Sequence, residues 1–100
     1  MLKLLLAAAL ACGPGERFAD LSGKLPQNLK SVDVVISVAP AYTRLYIYPL
    51  GRPEDFQQCC SSKPTGVLRV PAGSGRFCLR QSQPQMQWRA KLLLRPDVEM

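Results

Sequence analysis

Four cysteines, Cys12, Cys59, Cys60 and Cys78, are the side chains of this 100-residue sequence best suited to covalent chemistry. The sequence has no histidine and no C-x-x-C pair, so it lacks the ligand pattern of a tetrahedral zinc site and of a thioredoxin-type redox motif. We therefore expect disulfides and no metal. The spacing favours a bond from Cys78 to Cys59 or Cys60, closing a loop of roughly 20 residues and adding about 3 kcal/mol of stability. A bond between the neighbours Cys59 and Cys60 is the strained alternative.

A second group of residues offers binding chemistry through positive charge. Residues 56–96 contain no Asp or Glu but seven Lys or Arg residues. Their alternation with apolar residues predicts that six of them point away from the core: Arg69, Arg76, Arg80, Arg89, Lys91 and Arg95. If the last three strands are neighbours, these side chains form one basic face, which Arg44, Tyr46 and Tyr48 extend. The alternative is a solvated sheet face whose charges maintain solubility and discourage aggregation.

Guanidinium groups bind sulfate, phosphate and carboxylate in bidentate fashion, and tyrosine rings provide stacking surface. Outside the cell, such a basic Arg/Tyr face suits a sulfated glycan, an anionic lipid headgroup or an acidic protein surface.

Catalytic candidates are scarce. The lack of histidine excludes Ser-His and Cys-His pairs, and Ser74 misses the G-x-S-x-G motif because residue 72 is alanine. Asp33 alone among the acidic residues lies inside an expected strand, whereas paired acid–base catalysis needs two converging carboxylates. Trp88 belongs to an apolar stripe and is expected in the core. We predict that the protein is not an enzyme and uses no cofactor.

The first twelve residues indicate the cellular compartment. Lys3 precedes an apolar run over residues 4–11 that ends in small residues and is stopped by a Gly-Pro-Gly sequence, which is the layout of a secretory signal peptide. We predict a signal peptide at residues 1–11, with a cleavage site between 11 and 19, and secretion into an oxidising compartment where disulfides persist. A buried N-terminal helix and a lipid anchor on Cys12 are the alternatives. The run is too short for a transmembrane span, which needs about 20 residues.

Alternation of apolar and polar residues predicts about five strands, at residues 31–38, 44–48, 67–70, 76–80 and 86–95. A helix is the alternative for the last of these. Residues 12–30 are interpreted as an irregular lead-in, 49–65 as a long loop and 97–100 as a tail. The Gly-containing turn at 71–75 makes the two strands around it the clearest hairpin.

This pattern predicts an all-β fold, a small antiparallel β-sandwich or partial barrel over residues 31–96 that is stapled by disulfides. We expect a secreted binding module that engages an extracellular protein or receptor through the basic face or the Cys59-Cys60 loop. Binding of sulfated glycans or anionic surfaces through the basic face is one alternative, and a truncated structural module of a larger ectodomain is another. Export argues against DNA or RNA as a partner.

Overall fold

The computed structural model describes residues 11–95 and 97–100. Residues 1–10 of the predicted signal peptide lie outside the described residues. Seven strands follow one another along the chain: β1 (Arg17–Asp20), β2 (Ser31–Ala39), β3 (Leu45–Pro49), β4 (Gln57–Cys59), β5 (Thr65–Pro71), β6 (Arg76–Gln81) and β7 (Gln87–Leu92). A single 3-10 turn covers Pro53–Asp55, and the described ranges contain no α-helix. The predicted all-β class is confirmed.

No helix within residues 11–95 and 97–100 has the length and apolar character needed to cross a bilayer.

The strands form two antiparallel sheets. The four-stranded sheet has the order β1-β6-β3-β4, and the three-stranded sheet has the order β5-β2-β7. Buried residues from both sheets form one hydrophobic cluster, which is compatible with the predicted β-sandwich. Strands β5, β6 and β7 are consecutive in sequence, yet they do not lie side by side.

Alternation along the strands determines which side chains enter the core. In β2, Val32, Val34, Ile36 and Val38 are buried, while the residues between them are partly or fully exposed. The other main core residues are Leu45, Ile47, Val70, Phe77, Leu79, Ala90 and Leu92. Full burial of a large apolar side chain contributes about 1.5–3 kcal/mol, so this layer supplies most of the driving force for folding.

Two strands were not expected. β1 lies in the segment interpreted as an irregular lead-in, and β4 lies in the segment interpreted as a long loop. β1 has 4 residues and β4 has 3, which is too short for alternation to distinguish a strand from a loop. Both strands lie at the edges of the four-stranded sheet.

The last strand is shorter than the expected 86–95. β7 ends at Leu92, and the chain then turns back beside it. The Met100 N–H donates to the Ala90 carbonyl at 2.8 Å. Val98 and Met100 are buried. Leu94 alternates in step with Ala90 and Leu92, so a strand that continued to residue 95 would bury it, yet it is 75% exposed. Residues 98–100, interpreted as part of a tail, therefore pack against the edge of β7.

The disulfides differ from the favoured pairing, because Cys12 bonds Cys78 and Cys59 bonds Cys60. The expected bond from Cys78 to the Cys59/Cys60 pair is wrong. Cys59 is in register with a buried core residue of β3, whereas Cys78 is in register with Tyr48 three positions further along β3. Residues paired across strands share a face and successive residues alternate. Cys59 therefore faces the core, whereas Cys78 lies on the opposite face of its sheet, where it is fully buried.

Candidate binding surfaces

The structure divides the residues of the expected basic face between two surfaces. The outer face of the four-stranded sheet and its flank carry Arg44, Tyr46, Tyr48, Arg76 and Arg80, the three-stranded sheet carries Arg69, Arg89 and Lys91, and Arg95 follows β7. One continuous face required the last three strands to be neighbours. This condition is not met, because β6 pairs with β1 and β3 while β5 and β7 both pair with β2.

On the three-stranded sheet, two of the three cations are paired with acidic residues. Arg69 lies opposite Asp33, and its Nε and Nη2 donate to the two carboxylate oxygens at 2.9 and 3.3 Å. This hydrogen bonding lowers the pKa of Asp33 and raises the pKa of Arg69. Lys91 Nζ lies 3.6 Å from an oxygen of Glu99. Arg89 makes no ion pair with any described residue.

On the outer face of the four-stranded sheet, three side chains form a cluster that we call the Arg80 stack: Arg80, Tyr46 and Phe56. Arg80 lies opposite Tyr46, and its guanidinium carbon is 4.5 Å from the centre of the tyrosine ring. This distance is typical of a cation–π interaction. The rings of Tyr46 and Phe56 are 5.8 Å apart at an angle of 59°. Arg80 is exposed and Phe56 is 47% exposed, so the stack forms an accessible surface.

The Arg80 stack carries positive charge that is not neutralised locally. No carboxylate in residues 11–95 or 97–100 forms an ion pair with Arg80 or with Arg44. Arg44 shares the outer face because it lies two residues before Tyr46. Its backbone is held by Ser82, whose hydroxyl accepts the Arg44 N–H at 3.1 Å. Arg44 thus adds a second exposed cation to the face that carries the stack.

Arg76, at the other end of this face, is partly compensated by Asp20. Its Nε lies 3.7 Å from Asp20 Oδ2. The hydroxyl and the N–H of Ser22 donate to Asp20 Oδ1 at 2.7 and 3.0 Å. These hydrogen bonds, with a smaller contribution from Arg76, lower the pKa of Asp20. Arg76 is therefore less available to a partner than Arg80.

Tyr48 anchors the N-terminal segment. Its hydroxyl donates to the carboxylate of Glu16, which also accepts the Gly13 N–H at 2.7 Å. The Cys12–Cys78 disulfide attaches the same segment to β6. Desolvation, followed by the contact with Glu16, raises the pKa of Tyr48 to about 12. Residues 12–16 consequently cover part of the outer face, and Tyr48 has a structural role.

Arg95 and Trp88 both form hydrogen bonds within the chain. Arg95 Nη1 donates to the Lys24 carbonyl at 3.0 Å. Trp88 is half-buried against the core, and its Nε1 donates to the side-chain oxygen of Gln81 at 3.1 Å. The guanidinium carbon of Arg17 lies 5.2 Å from the centre of the Trp88 ring. Trp88 thus packs at the margin of the core, in agreement with its expected location.

Sequence reasoning missed Phe56 and Glu16. Phe56 directly precedes the short strand β4, where no alternation was long enough to assign a face. Glu16 meets Tyr48 across 32 residues of sequence, so no local pattern signals the contact.

The donor atoms of Cys12, Glu16 and Cys78 lie within 4.8 Å of one another. Both sulfurs belong to one disulfide, so neither is available as the thiolate that metal ligation requires. The expected absence of a metal and of a cofactor stays a prediction. Ser74 lies exposed in the turn between β5 and β6.

Comparisons of the chain with protein-family models, with curated proteins and with solved structures found no match.

Proposed function

We propose that this chain is a secreted binding module whose Arg80 stack binds an acidic patch on an extracellular protein or receptor. The observation that carries the proposal is the contact of Arg80 with Tyr46 on an exposed face, with no ion-pair partner among the described residues. Arginine and aromatic residues contribute disproportionately to binding energy at protein interfaces. A guanidinium group that stacks on a ring keeps its N–H groups available for a carboxylate.

The location of the stack on strands supports this proposal. Arg80 and Tyr46 belong to β6 and β3, the two interior strands of the four-stranded sheet. Their backbones are fixed by pairing on both sides, and the ring restricts the guanidinium group. Less conformational entropy is lost when a partner binds to groups that are already ordered.

A sulfated glycan or another anionic surface is the alternative partner. Binding to a polyanion depends on many cations that act together. In this fold, Arg69 and Lys91 are paired with acidic residues, and together with Arg89 they lie on the other sheet. This distribution favours a partner with a small acidic patch over an extended polyanion.

Secretion is supported by the apolar N-terminal run and by the two disulfides. The Cys12–Cys78 bond requires Cys12 in the mature chain. Cleavage after Ala11 meets this requirement, whereas cleavage near Gly15 or Ala19 does not. A lipid on Cys12 would need the same sulfur atom, so lipidation is not part of the proposal.

A binding screen against extracellular domains displayed on cells tests the proposal, with the multimerised protein as the probe. Arg80→Glu reverses the charge of the stack, and Arg89→Glu is the matched control because it reverses an exposed charge on the other sheet. We expect binding to at least one domain to weaken by about tenfold or more with Arg80→Glu and to persist with Arg89→Glu. Equal effects of the two substitutions would contradict the proposed site.

Heparin chromatography distinguishes the glycan alternative. For a module with a protein partner, we expect elution below about 0.3 M NaCl, since multi-contact polyanion binding persists to higher salt. Retention at higher salt would favour the glycan.

Circular dichroism of the chain expressed alone tests the structural alternative. A β-sheet spectrum agrees with an autonomous binding module. An unfolded spectrum that becomes folded when further C-terminal sequence is added would favour the truncated structural module.

A further inference from the structure

The three-stranded sheet has an open edge at β5. Among the described residues, β5 pairs with β2 alone. The other sheet edges are short or covered, since β1 has 4 residues, β4 has 3, and residues 98–100 pack along part of β7. With 7 residues, β5 is the longest strand in this part of the chain that has a backbone partner on one side only. β4 packs against it without pairing.

The strand register shows which backbone groups of β5 are open. The Val38 N–H donates to the Pro64 carbonyl at 2.8 Å. Because hydrogen-bonded residues alternate along an antiparallel pair, Gly66, Leu68 and Val70 direct their N–H and C=O groups toward β2. Thr65, Val67 and Arg69 are the intervening residues. Their N–H and C=O groups therefore point away from β2, toward the open edge.

The side chains along this edge do not oppose pairing with another strand. Val67, at the centre, is 58% exposed and lies opposite Val35 of β2, which extends a short apolar row to the edge. Edge strands are commonly protected from association by free charges. The charge of Arg69 is instead compensated by Asp33 of the same chain. The edge has both the backbone groups and the apolar surface that strand addition needs.

We infer that β5 is a self-association surface, at which two copies of this chain pair β5 with β5 in antiparallel orientation. A two-fold axis at Val67 places Val67 opposite Val67 of the second copy and Thr65 opposite Arg69 of the second copy. Each open N–H group then meets an open C=O group. On the outer face, Val35 and Val67 of both copies form one continuous apolar row.

Neighbouring registers with the same hydrogen-bonding phase fit less well. Moving the axis by one residue toward the N-terminus places Arg69 opposite Lys63 of the second copy, which juxtaposes like charges. Moving it by one residue toward the C-terminus places Thr65 opposite Pro71, which has no N–H to donate. The register centred on Val67 keeps Arg69 away from Lys63 and places Pro71 opposite Lys63, which lies outside β5. This self-complementarity favours a second copy over an unrelated strand. The surface is separate from the Arg80 stack and does not depend on the proposed function.

Sedimentation velocity over a series of protein concentrations tests the inference. Val67→Lys places two ammonium groups opposite each other at the axis, and Leu94→Lys is the control because Leu94 is 75% exposed and lies outside β5. We expect the wild type and Leu94→Lys to shift from monomer to dimer with rising concentration. For Val67→Lys, we expect a dissociation constant raised by about tenfold or more. A wild type that stays monomeric, or a Val67→Lys variant that dimerises equally well, would overturn the inference.

Hydrogen exchange of the wild type gives a second readout that does not require a variant to fold. The N–H groups of Thr65, Val67 and Arg69 should gain protection as concentration rises, while those of the intervening residues are protected throughout. Association without protection of these three groups, or protection only after another protein is added, would show that two β5 strands do not pair with each other.

Discussion

The outer faces of the two sheets both carry arginines, but of Arg69 and Arg80 only Arg69 is neutralised by an acidic residue in the described part of the chain. On the four-stranded sheet, Arg80 lies opposite Tyr46 and stacks on its ring. On the three-stranded sheet, Arg69 lies opposite Asp33 and forms a two-point ion pair. Both arginines alternate with apolar residues in their own strands, so the local sequence does not separate them. The residue across the strand pair determines whether the charge remains available for a partner.

Removal of the Cys12–Cys78 disulfide, which attaches residues 12–16 to the four-stranded sheet, should have the largest effect on stability. Replacing Cys12 and Cys78 with serine opens a link across 66 residues of sequence, and the loss of loop closure should lower the free energy of unfolding by about 4 kcal/mol. Replacing Cys59 and Cys60, which are 1 residue apart, opens almost no loop and should cost much less. Urea denaturation of both double variants measures the difference. Similar losses would contradict the unequal roles of the two bonds.

Titration of Tyr48 tests whether residues 12–16 cover this part of the outer face. The Tyr48 pKa of about 12, against a usual value of 10.0, means that the folded state favours the neutral phenol. The stabilisation is fully present below pH 10 and is lost as the pH rises toward 12. Ultraviolet absorbance of tyrosinate should show a late transition that belongs to Tyr48. Glu16→Gln should lower this pKa only in part, because desolvation is the larger cause, and Tyr48→Phe should remove the late transition altogether.

The dependence of stability on acidic pH should distinguish Arg69, which is paired with Asp33, from Arg80, which is not. The pKa of Asp33 is lowered mainly by its hydrogen bond with Arg69, so its contribution to stability is present above the ordinary carboxyl pKa and is lost as the pH falls through the lowered value. Arg69→Gln should therefore reduce the loss of stability on acidification, whereas Arg80→Gln should leave that loss unchanged. Urea midpoints between neutral and acidic pH provide the measurement. An equal change in both variants would mean that the Arg69–Asp33 pair does not distinguish the faces.

Removal of the Arg80 side chain should have the smallest effect on folding. Arg80→Ala loses one exposed cation–π interaction, which is worth about 0.5–1 kcal/mol. Arg44→Ala is the control on the same face, since the Arg44 guanidinium makes no ion pair or ring contact with the described residues. It should change the melting temperature less. A large destabilisation by Arg80→Ala would indicate that the stack serves the fold and is not primarily a binding surface.

Sequence patterns predicted the parts of the fold that depend on local alternation. The buried positions of β2 and of β3 follow directly from the period of two, as Ile36 and Ile47 illustrate. The expected end of the last strand near residue 95 was wrong, because Met100 returns to bond with Ala90. Such a return depends on long-range pairing that a period within one strand does not encode.

The candidate surface was predicted by residue type but not by arrangement. Arg80 and Tyr46 were both expected on an outer face, yet their contact arises from the pairing of β3 with β6. The expected union with Arg69 and Arg89 failed because those residues belong to strands that pair with β2. Register between distant strands is set by the whole core, so it could not be derived from the alternation of each strand alone.

The division of the basic residues between two sheets depends on the strand register. The disulfide map tests that register most directly, because the partner of Cys78 shows which face of β6 this residue occupies. In a non-reduced tryptic digest, Cys78 lies in peptide 77–80. The structure predicts that mass spectrometry will find this peptide linked to the one that ends at Arg17, with Cys59 and Cys60 bonded to each other within a single peptide. A link between peptide 77–80 and the peptide that carries Cys59 and Cys60 would contradict the position of Cys78 on the face of its sheet opposite Cys59, and with it the separation of the basic residues onto two faces.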